Sequence, residues 1–234
     1  SLVTLAFDRR RSSFFRSELF HALAIIQNQG LSVNEMRGSW AGAIGHTQFM
    51  PSTFVKYGQD GDLNGTIDLW RSLPDVFASS ANYLDQMGWS EGYTWGREIL
   101  LPPNFDYSMS GLKISQKIEF WRGQSIYSID GGVLPTVDIT ASVVVPNGSK
   151  GPAFLVYNNF RIIMHWNNSI SYALSVGHLA DRIIAMPPLK SKRYRIDTLS
   201  REEIVSLQIY LNSTGYNSGE PDGTIGPMTN SAVM

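Results

Sequence analysis

Between residues 14 and 29, apolar side chains recur at helical spacing: Phe15, Leu19, Ala22, Leu23 and Ile26 fall on one stripe. The stripe predicts a helix from Phe14 to Gln29, capped by Ser12 or Ser13 and stopped by Gly30. A second stripe, Val76, Phe77, Leu84 and Met87, predicts a helix over residues 75–87 that ends at Gly88. Past about Leu112 the period drops to two. Val137, Ile139, Ala141, Val143 and Val145 alternate with Asp138, Thr140 and Ser142, the pattern of a strand with one buried face. Pro146-Asn147-Gly148 marks the turn that follows it. Two further strands are expected over 153–157 and 161–166, separated by Asn158-Asn159. A third helix is expected over 169–185, with Ile170, Leu174, Leu179 and Ile183 on its inner face.

The pattern then breaks. Residues 187–197 begin Pro-Pro-Leu-Lys-Ser-Lys-Arg and read as a basic, proline-bearing linker. Ser200-Arg201-Glu202-Glu203 is a capping box that opens a short amphipathic helix carrying Ile204, Leu207 and Leu211. Gly215 and the stretch Gly219 to Gly226 form a turn-rich loop. Residues 198–234 thus make a second module, too small to be very stable as it stands. Both ends read as interior sequence: Leu2 to Phe7 is apolar from the outset, and residues 229–234 resemble a helix stopped after one or two turns. The chain is expected to be part of a longer parent. There is no internal repeat, no signal-peptide pattern, and no apolar run approaching the ~18 residues that span a bilayer.

Composition narrows the class. At 234 residues the chain can bury a real core without staples. With 43% hydrophobic residues it is no disordered chain. The absence of cysteine removes disulfides, thiol nucleophiles and thiolate metal sites. A net charge of −1 argues against nucleic acid as the main partner. His21, His46, His165 and His178 have no ligand-like spacing, so zinc is not expected. The aromatic content of 12% supplies flat faces suited to packing on sugar rings or bases.

Two segments carry candidate chemistry. The first is Gly38-Ser39-Trp40-Ala41-Gly42-Ala43-Ile44-Gly45-His46-Thr47-Gln48-Phe49-Met50-Pro51-Ser52. Its glycines permit tight turns and close approach to the backbone, its polar groups sit among aromatics, and Pro51-Ser52 looks like a helix start. From composition alone it is either a buried glycine-rich connector or a ligand loop. The second is Asp60-Gly61-Asp62-Leu63-Asn64-Gly65-Thr66-Ile67, which fits the first eight positions of an EF-hand loop. Position 12 is Arg71 rather than Glu, and Asp75 is placed to close the site. The set Asp60, Asp62, Asn64, Thr66 and Asp75 is either a weak structural calcium site or an Asx-rich turn without metal.

The first segment resembles the Gly-x-x-Gly-x-x-Gln-Phe-Met-Pro-Ser signature of lytic murein transglycosylases, specifically the membrane-bound lytic transglycosylase B family. Further stretches agree in order: Thr4 to Phe7, Arg10-Arg11, Phe14-Phe15, Ser80 to Leu84, Gly88-Trp89, Gly151 to Tyr157 and Asn159 to Asn167. The resemblance covers roughly residues 1–186. Residues 198–234 resemble the peptidoglycan-binding module often appended to these enzymes, through Leu207-Gln208, Leu211-Asn212, Gly215-Tyr216 and Asp222 to Thr229.

The resemblance implies a mainly α (α+β) architecture. Residues 1–186 would form a lysozyme-like transglycosylase domain with a small β element, lacking its N-terminal part. A linker over 187–197 and a truncated peptidoglycan-binding module would follow. It implies cleavage of the β-1,4 bond between N-acetylmuramic acid and N-acetylglucosamine, giving a 1,6-anhydromuramoyl product. The family's catalytic Glu lies upstream of the stretch at which this chain starts, and neither Glu18 nor Glu35 matches its position, so no catalytic residue is assigned. Gln48 and Ser39 would orient the substrate acetamide. Tyr83, Trp166 and Phe14 would form an aromatic floor, with Asn167 as a polar contact and Arg10 and Arg11 meeting lactyl or peptide carboxylates. Core packing for the aromatics and a solvated helix start for the arginines remain open beside these roles, as does a structural role for His46. No cofactor is required beyond the possible calcium. The expected partner is the peptidoglycan glycan strand, with no nucleic acid and no transmembrane segment. The parent would act as a monomer in a Gram-negative periplasm, with an outer-membrane anchor open. The rival reading is a protein that binds glycan strands without cutting them.

Overall fold

The computed structural model describes residues 2–8, 10–191 and 199–233. They fall into two compact units: Ser1–Pro146 with Pro152–Lys190, and Asn147–Gly151 with Ser191–Met234.

The first unit opens with α1 (Leu2–Phe7) and α2 (Ser12–Gln29), which ends on a left-handed Gly30. Short α3 (Pro51–Tyr57) and longer α4 (Leu73–Gln86) follow the glycine-rich segment and the acidic loop. On α4 the buried positions are Asp75, Val76, Ser79 and Tyr83, which share one helix face because Ser79 and Tyr83 follow at steps of three to four. Phe77 lies about 100° further round the helix and is exposed, contrary to the inward face expected for it.

The sheet is antiparallel, in the order β2-β4-β5-β1-β3. Its strands are β1 (Gly96–Leu100), β2 (Gln116–Lys117), β3 (Tyr127–Ser128), β4 (Thr140–Val144) and β5 (Ala153–Val156). A one-turn α5 (Ile118–Gly123) follows β2 directly. The alternation in β4 does not separate core from water. Ala141 and Val143 pack into a core with Ile118, Trp121 and Leu155, while Val144 meets Phe154, Val156 and Phe160 on the other face. Ser142 is buried as well. Its hydroxyl donates to the Ile114 carbonyl at 2.6 Å and accepts from Arg161 Nη2 at 2.7 Å, which satisfies it away from water.

The expected strand over 161–166 is instead α6 (Asn158–Trp166). A short apolar run cannot be told from a buried helix by periodicity alone, and here tertiary contacts decide. The Asn159 side chain accepts from Ser90 N at 2.9 Å and donates to the carbonyls of Ser90 and Tyr93, which pins the helix start. Phe160 and Ile163 then face the sheet one turn apart. In α7 (Ile170–Ile183) the buried residues are Ala173 and Gly177, while Leu179 and Ile183 are exposed, reversing the face expected for them. Small residues are needed there: a Cβ on Gly177 would sit 2.5 Å from the Trp95 ring.

After α7, the Lys190 amide donates to Glu98 Oε2 at 2.7 Å, and its ammonium pairs with Asp130. The rest of the expected linker, residues 192–197, lies outside the described residues.

In the second unit the capping box is present on α8 (Arg201–Ser213), and α9 (Pro227–Val233) follows. Buried Gln208 organises the turn between them. It accepts from Gly223 N at 2.9 Å, and its amide faces Asp222 Oδ1, the Thr224 carbonyl and Thr229 Oγ1 at 3.1–3.2 Å. Among the described residues, no helix is long and apolar enough to cross a membrane.

Candidate functional site

The glycine-rich segment folds back on itself around Ile44, which bridges both Gly38 and Phe49. Ser39 closes the first turn: its hydroxyl accepts from Ala43 N at 3.1 Å. The second turn carries Gly45, His46, Thr47 and Gln48. Gly45 sits at φ +64, and a Cβ there would lie 2.6 Å from the Leu69 carbonyl oxygen, so glycine is required. The close approach lets His46 N donate to that same carbonyl at 2.8 Å. Gln48 is also left-handed, at φ +52, an uncommon state for a residue with a Cβ. Its Nε2 donates to the Gly45 carbonyl at 2.9 Å, and its Oε1 has no hydrogen-bond partner among the described residues.

This turn forms one wall of a groove of about 480 Å³. Val76 and Ser80 of α4 form a second wall, and Trp166, Asn167 and Tyr172 complete it. Trp166 is fixed by a bond from its Nε1 to the Thr47 carbonyl at 3.0 Å and by its contact with Phe49, ring centroids 5.0 Å apart. Burial raises the Tyr172 phenol above its ordinary value. Three residues that line this space have side-chain polar groups with hydrogen-bonding capacity to spare among the described residues: Gln48 at Oε1, Asn167 and His46. An aromatic wall with a few unspent polar groups is how a site grips an amphipathic ring.

The proposed substrate residues do not all meet here. Gln48, Trp166 and Asn167 share the groove. Tyr83 is only 8% exposed and stands behind Trp166 in an edge-on contact at 5.0 Å, so it supports the wall rather than forming it. Burial, with the neighbouring Tyr57, raises its phenol. Ser39 lines a different cleft, with Leu2, Leu19 and Ile26 of α1 and α2. Arg10, Arg11 and Phe14 do not line the groove. Arg11 stacks over the Phe14 ring at 4.6 Å, where the cation–π contact holds both. Tyr172 carried no distinguishing signal in the sequence, since it sits at an ordinary helical position, and Ser80 lay in a stretch that supports the resemblance without being singled out as a site residue.

The acidic loop lies one peptide away from the groove, through Leu69. Carboxylate oxygens of Asp60, Asp62 and Asp75 lie within 4.8 Å of one another. Two oxygens bound to one calcium ion at roughly 2.3–2.6 Å can be no more than about 5 Å apart, so this spacing fits. Asp75 is fully buried and shapes the loop from beneath, accepting from Gly61 N at 2.8 Å and Asp68 N at 2.7 Å. Burial opposes ionisation of Asp60, but the amides of Gly65 and Asn64 outweigh it and hold its carboxyl below the usual value. Asn64 Oδ1 accepts from both the amide and the hydroxyl of Thr66. Arg71, at the twelfth position, turns away to Glu35 at 3.0 Å. The donor set is hard oxygen throughout, as calcium requires.

Glu18 is 3% exposed. Both carboxylate oxygens bind Ser52, at the start of α3, and neither is available to a substrate in the groove.

Residues 1–181 match the transglycosylase SLT domain family, and residues 200–234 match a putative peptidoglycan binding domain. The chain is 29% identical over 196 residues to the membrane-bound lytic murein transglycosylase B of Escherichia coli K12, covering 78% of this chain and 50% of that protein. It superposes on Pseudomonas aeruginosa SltB3, solved with NAG-anhNAM-pentapeptide, at a TM-score of 0.87 and 42% identity; 99% of this chain and 63% of that one are covered. Escherichia coli Slt35, solved in complex with calcium, matches at a TM-score of 0.68 and 28% identity over 79% of this chain and 58% of that one. The chain thus spans half to two thirds of the length of these relatives. Its larger unit has their lysozyme-like fold. With four fifths of its described length accounted for in this way, the chain belongs to the transglycosylase SLT domain family.

Proposed function

We propose that the parent protein is a lytic transglycosylase that cleaves the β-1,4 bond between N-acetylmuramic acid and N-acetylglucosamine. One observation carries this reading: the groove where Trp166 faces the unspent groups of Gln48 and Asn167. An N-acetylated sugar offers an apolar ring face to the indole, an amide N–H to Gln48 Oε1, and an amide carbonyl to the Asn167 side chain.

As the resemblance implies, we assign the acid to a Glu upstream of residue 1; none of the described residues lining the groove is a carboxylic acid. Protonated in a partly apolar setting, that Glu would give its proton to the glycosidic oxygen as that bond breaks. The acetamide oxygen of the muramic acid would support the developing charge at C1, as in substrate-assisted glycosidases. The resulting carboxylate would then take the proton from the sugar's own C6 hydroxyl, whose oxygen attacks C1. That attack is intramolecular, so proximity favours it over water and gives the 1,6-anhydro product.

We further propose that Asp60, Asp62, Asn64, the Thr66 carbonyl and Asp75 hold a structural calcium ion. It would neutralise the three clustered carboxylates and stiffen the segment leading to Leu69. The setting is taken to be the periplasm, with peptidoglycan strands as partner.

The lack of an acid in the groove also favours a second reading, in which this stretch binds glycan without cutting it. Mass spectrometry of peptidoglycan digests separates the two. The 234-residue chain should release no anhydro-muropeptides, and a chain extended upstream should release them. An extended chain that binds sacculi but yields no anhydro product would leave the binding reading standing and overturn the enzymatic one.

A further inference from the structure

Another cavity, of about 570 Å³, shares Trp166 and Tyr172 with the groove but takes the rest of its lining from residues outside it. Trp89, Tyr93 and Trp95 come from the stretch between α4 and β1, so five aromatic side chains line one space. Ile163 of α6 and Val176 of α7 add aliphatic walls. The volume lies within the range of small-molecule sites, roughly 300–1,000 Å³.

Among the described lining residues, Asp181 alone carries a formal charge. This half-buried carboxylate accepts from Trp95 Nε1 at 2.9 Å through Oδ2, and its Oδ1 has no hydrogen-bond partner among the described residues. None of the described cations pairs with it. Arg182, the next residue, donates to the Met186 carbonyl instead. The rings are equally free of protein cations: among the described residues, Arg and Lys side chains lie over Phe14, Phe15, Tyr57 and Tyr157, and over none of the five. Negative charge amid aromatic rings, with no cation of the protein's own, leaves the positive charge to a ligand. The wall is also preformed. Trp95 is buried, packed against Gly177 of α7 and tied to Asp181, so a ligand does not have to order it.

The lining also selects the kind of cation. A primary ammonium is strongly hydrated and requires acceptors for its three N–H groups when it leaves water. A quaternary ammonium has no N–H to satisfy, and aromatic faces with one carboxylate supply what it needs. Walls made mostly of ring and aliphatic carbon suit the second. We propose that this cavity is a binding site for a quaternary ammonium group, held by cation–π attraction to the aromatic lining and by the Asp181 carboxylate. The site stands apart from the peptidoglycan reading and does not depend on it.

The test is an NMR titration of the isotope-labelled 234-residue chain with three probes. Choline carries the quaternary group. Ethanolamine has the same charge with N–H groups in place of the methyls, and dimethylbutanol is the neutral carbon isostere of choline. Choline should shift the indole N–H resonances of Trp89 and Trp95 to saturation and leave those of Trp40, Trp70 and Trp121 in place. It should bind about tenfold more tightly than either comparison probe. D181N keeps an acceptor for the Trp95 indole but removes the charge, and should weaken choline about threefold or more while leaving dimethylbutanol unchanged. W89L keeps an apolar wall without the ring, and should cost choline more affinity than dimethylbutanol. Equal affinity for choline and dimethylbutanol would make the cavity merely apolar and overturn the proposal. Tighter binding of ethanolamine, choline affinity that D181N leaves unchanged, or resonances of Trp89 and Trp95 that do not move would each overturn it as well. The peptidoglycan reading survives any of these results.

Discussion

Glu18 and Ser52 are joined twice: Ser52 N donates to Glu18 Oε2 at 2.9 Å, and Ser52 Oγ donates to Oε1 at 2.7 Å. A carboxylate from the middle of α2 thus caps the first turn of α3, immediately after the turn that carries Gln48. Negative charge at a helix start is favourable, and the two bonds offset the cost of burying it. Glu18→Ala should lower stability by about 2–4 kcal/mol, since hydrogen bonds to charged groups contribute more than neutral ones. Glu18→Gln should lose less. Urea denaturation of both variants checks this; an alanine variant as stable as the parent would refute the capping role.

Glu35 is held at about 2, below its ordinary 4.5, by the amide and hydroxyl of Ser32 and by Arg71. A depressed carboxyl stabilises the fold above its unfolded pKa, and that contribution disappears as the pH falls from about 4.5 to about 2. Glu35→Gln should therefore be less stable than the parent at pH 6. The difference should close across that acid window, and thermal melts at half-unit pH steps would trace it.

Calcium at millimolar concentration should raise the melting temperature, because an ion that binds only the folded chain stabilises it. Asp62→Ala should abolish the shift with little effect on the ion-free protein, since its side chain is exposed. Asp75→Ala should lower stability even without calcium, because the amides of Gly61 and Asp68 would lose their buried acceptor. Scanning calorimetry with calcium and with a chelator distinguishes the two effects.

Trp166→Phe should weaken disaccharide binding severalfold. The smaller ring loses stacking area, and the Thr47 carbonyl loses the indole donor, at a stability cost of about 1 kcal/mol. Trp166→Ala should weaken binding tenfold or more and also loosen the packing of Phe49 and Tyr83. Fluorescence titration, with unfolding measured alongside, separates the binding loss from the folding loss.

What could be read from the sequence was what local chemistry controls. Gly30 stops α2 in a left-handed state, and Ser200 with Glu203 closes the capping box as its spacing indicates. The signature placed Gln48, and the ordered motifs behind the resemblance placed Trp166 and Asn167 beside it. Less was legible where a distant contact decides. The Arg161–Trp166 run is helical because Asn159 ties its start to Ser90 and Tyr93, nearly 70 residues away in sequence. Ser142 is buried because Arg161 and the Ile114 carbonyl receive it, which alternation cannot reveal. Ser39 and Gln48 are neighbours in the motif yet open onto different clefts, because the chain reverses at Ile44 between them. Ser80 and Tyr172 enter the groove only once α4, α6 and α7 are packed.

The bond from His46 N to the Leu69 carbonyl has one more consequence. Leu69 follows the acidic loop by two residues and is wholly buried, so its peptide group ties the loop to the turn that forms the groove. An ion that shifts or stiffens this peptide also shifts or stiffens the wall on which a sugar would rest. Cooperativity between two ligands is reciprocal by thermodynamic necessity. The factor by which calcium changes the dissociation constant of the disaccharide must equal the factor by which the disaccharide changes that of calcium. Two titrations, each run with the other ligand saturating, would measure this coupling twice.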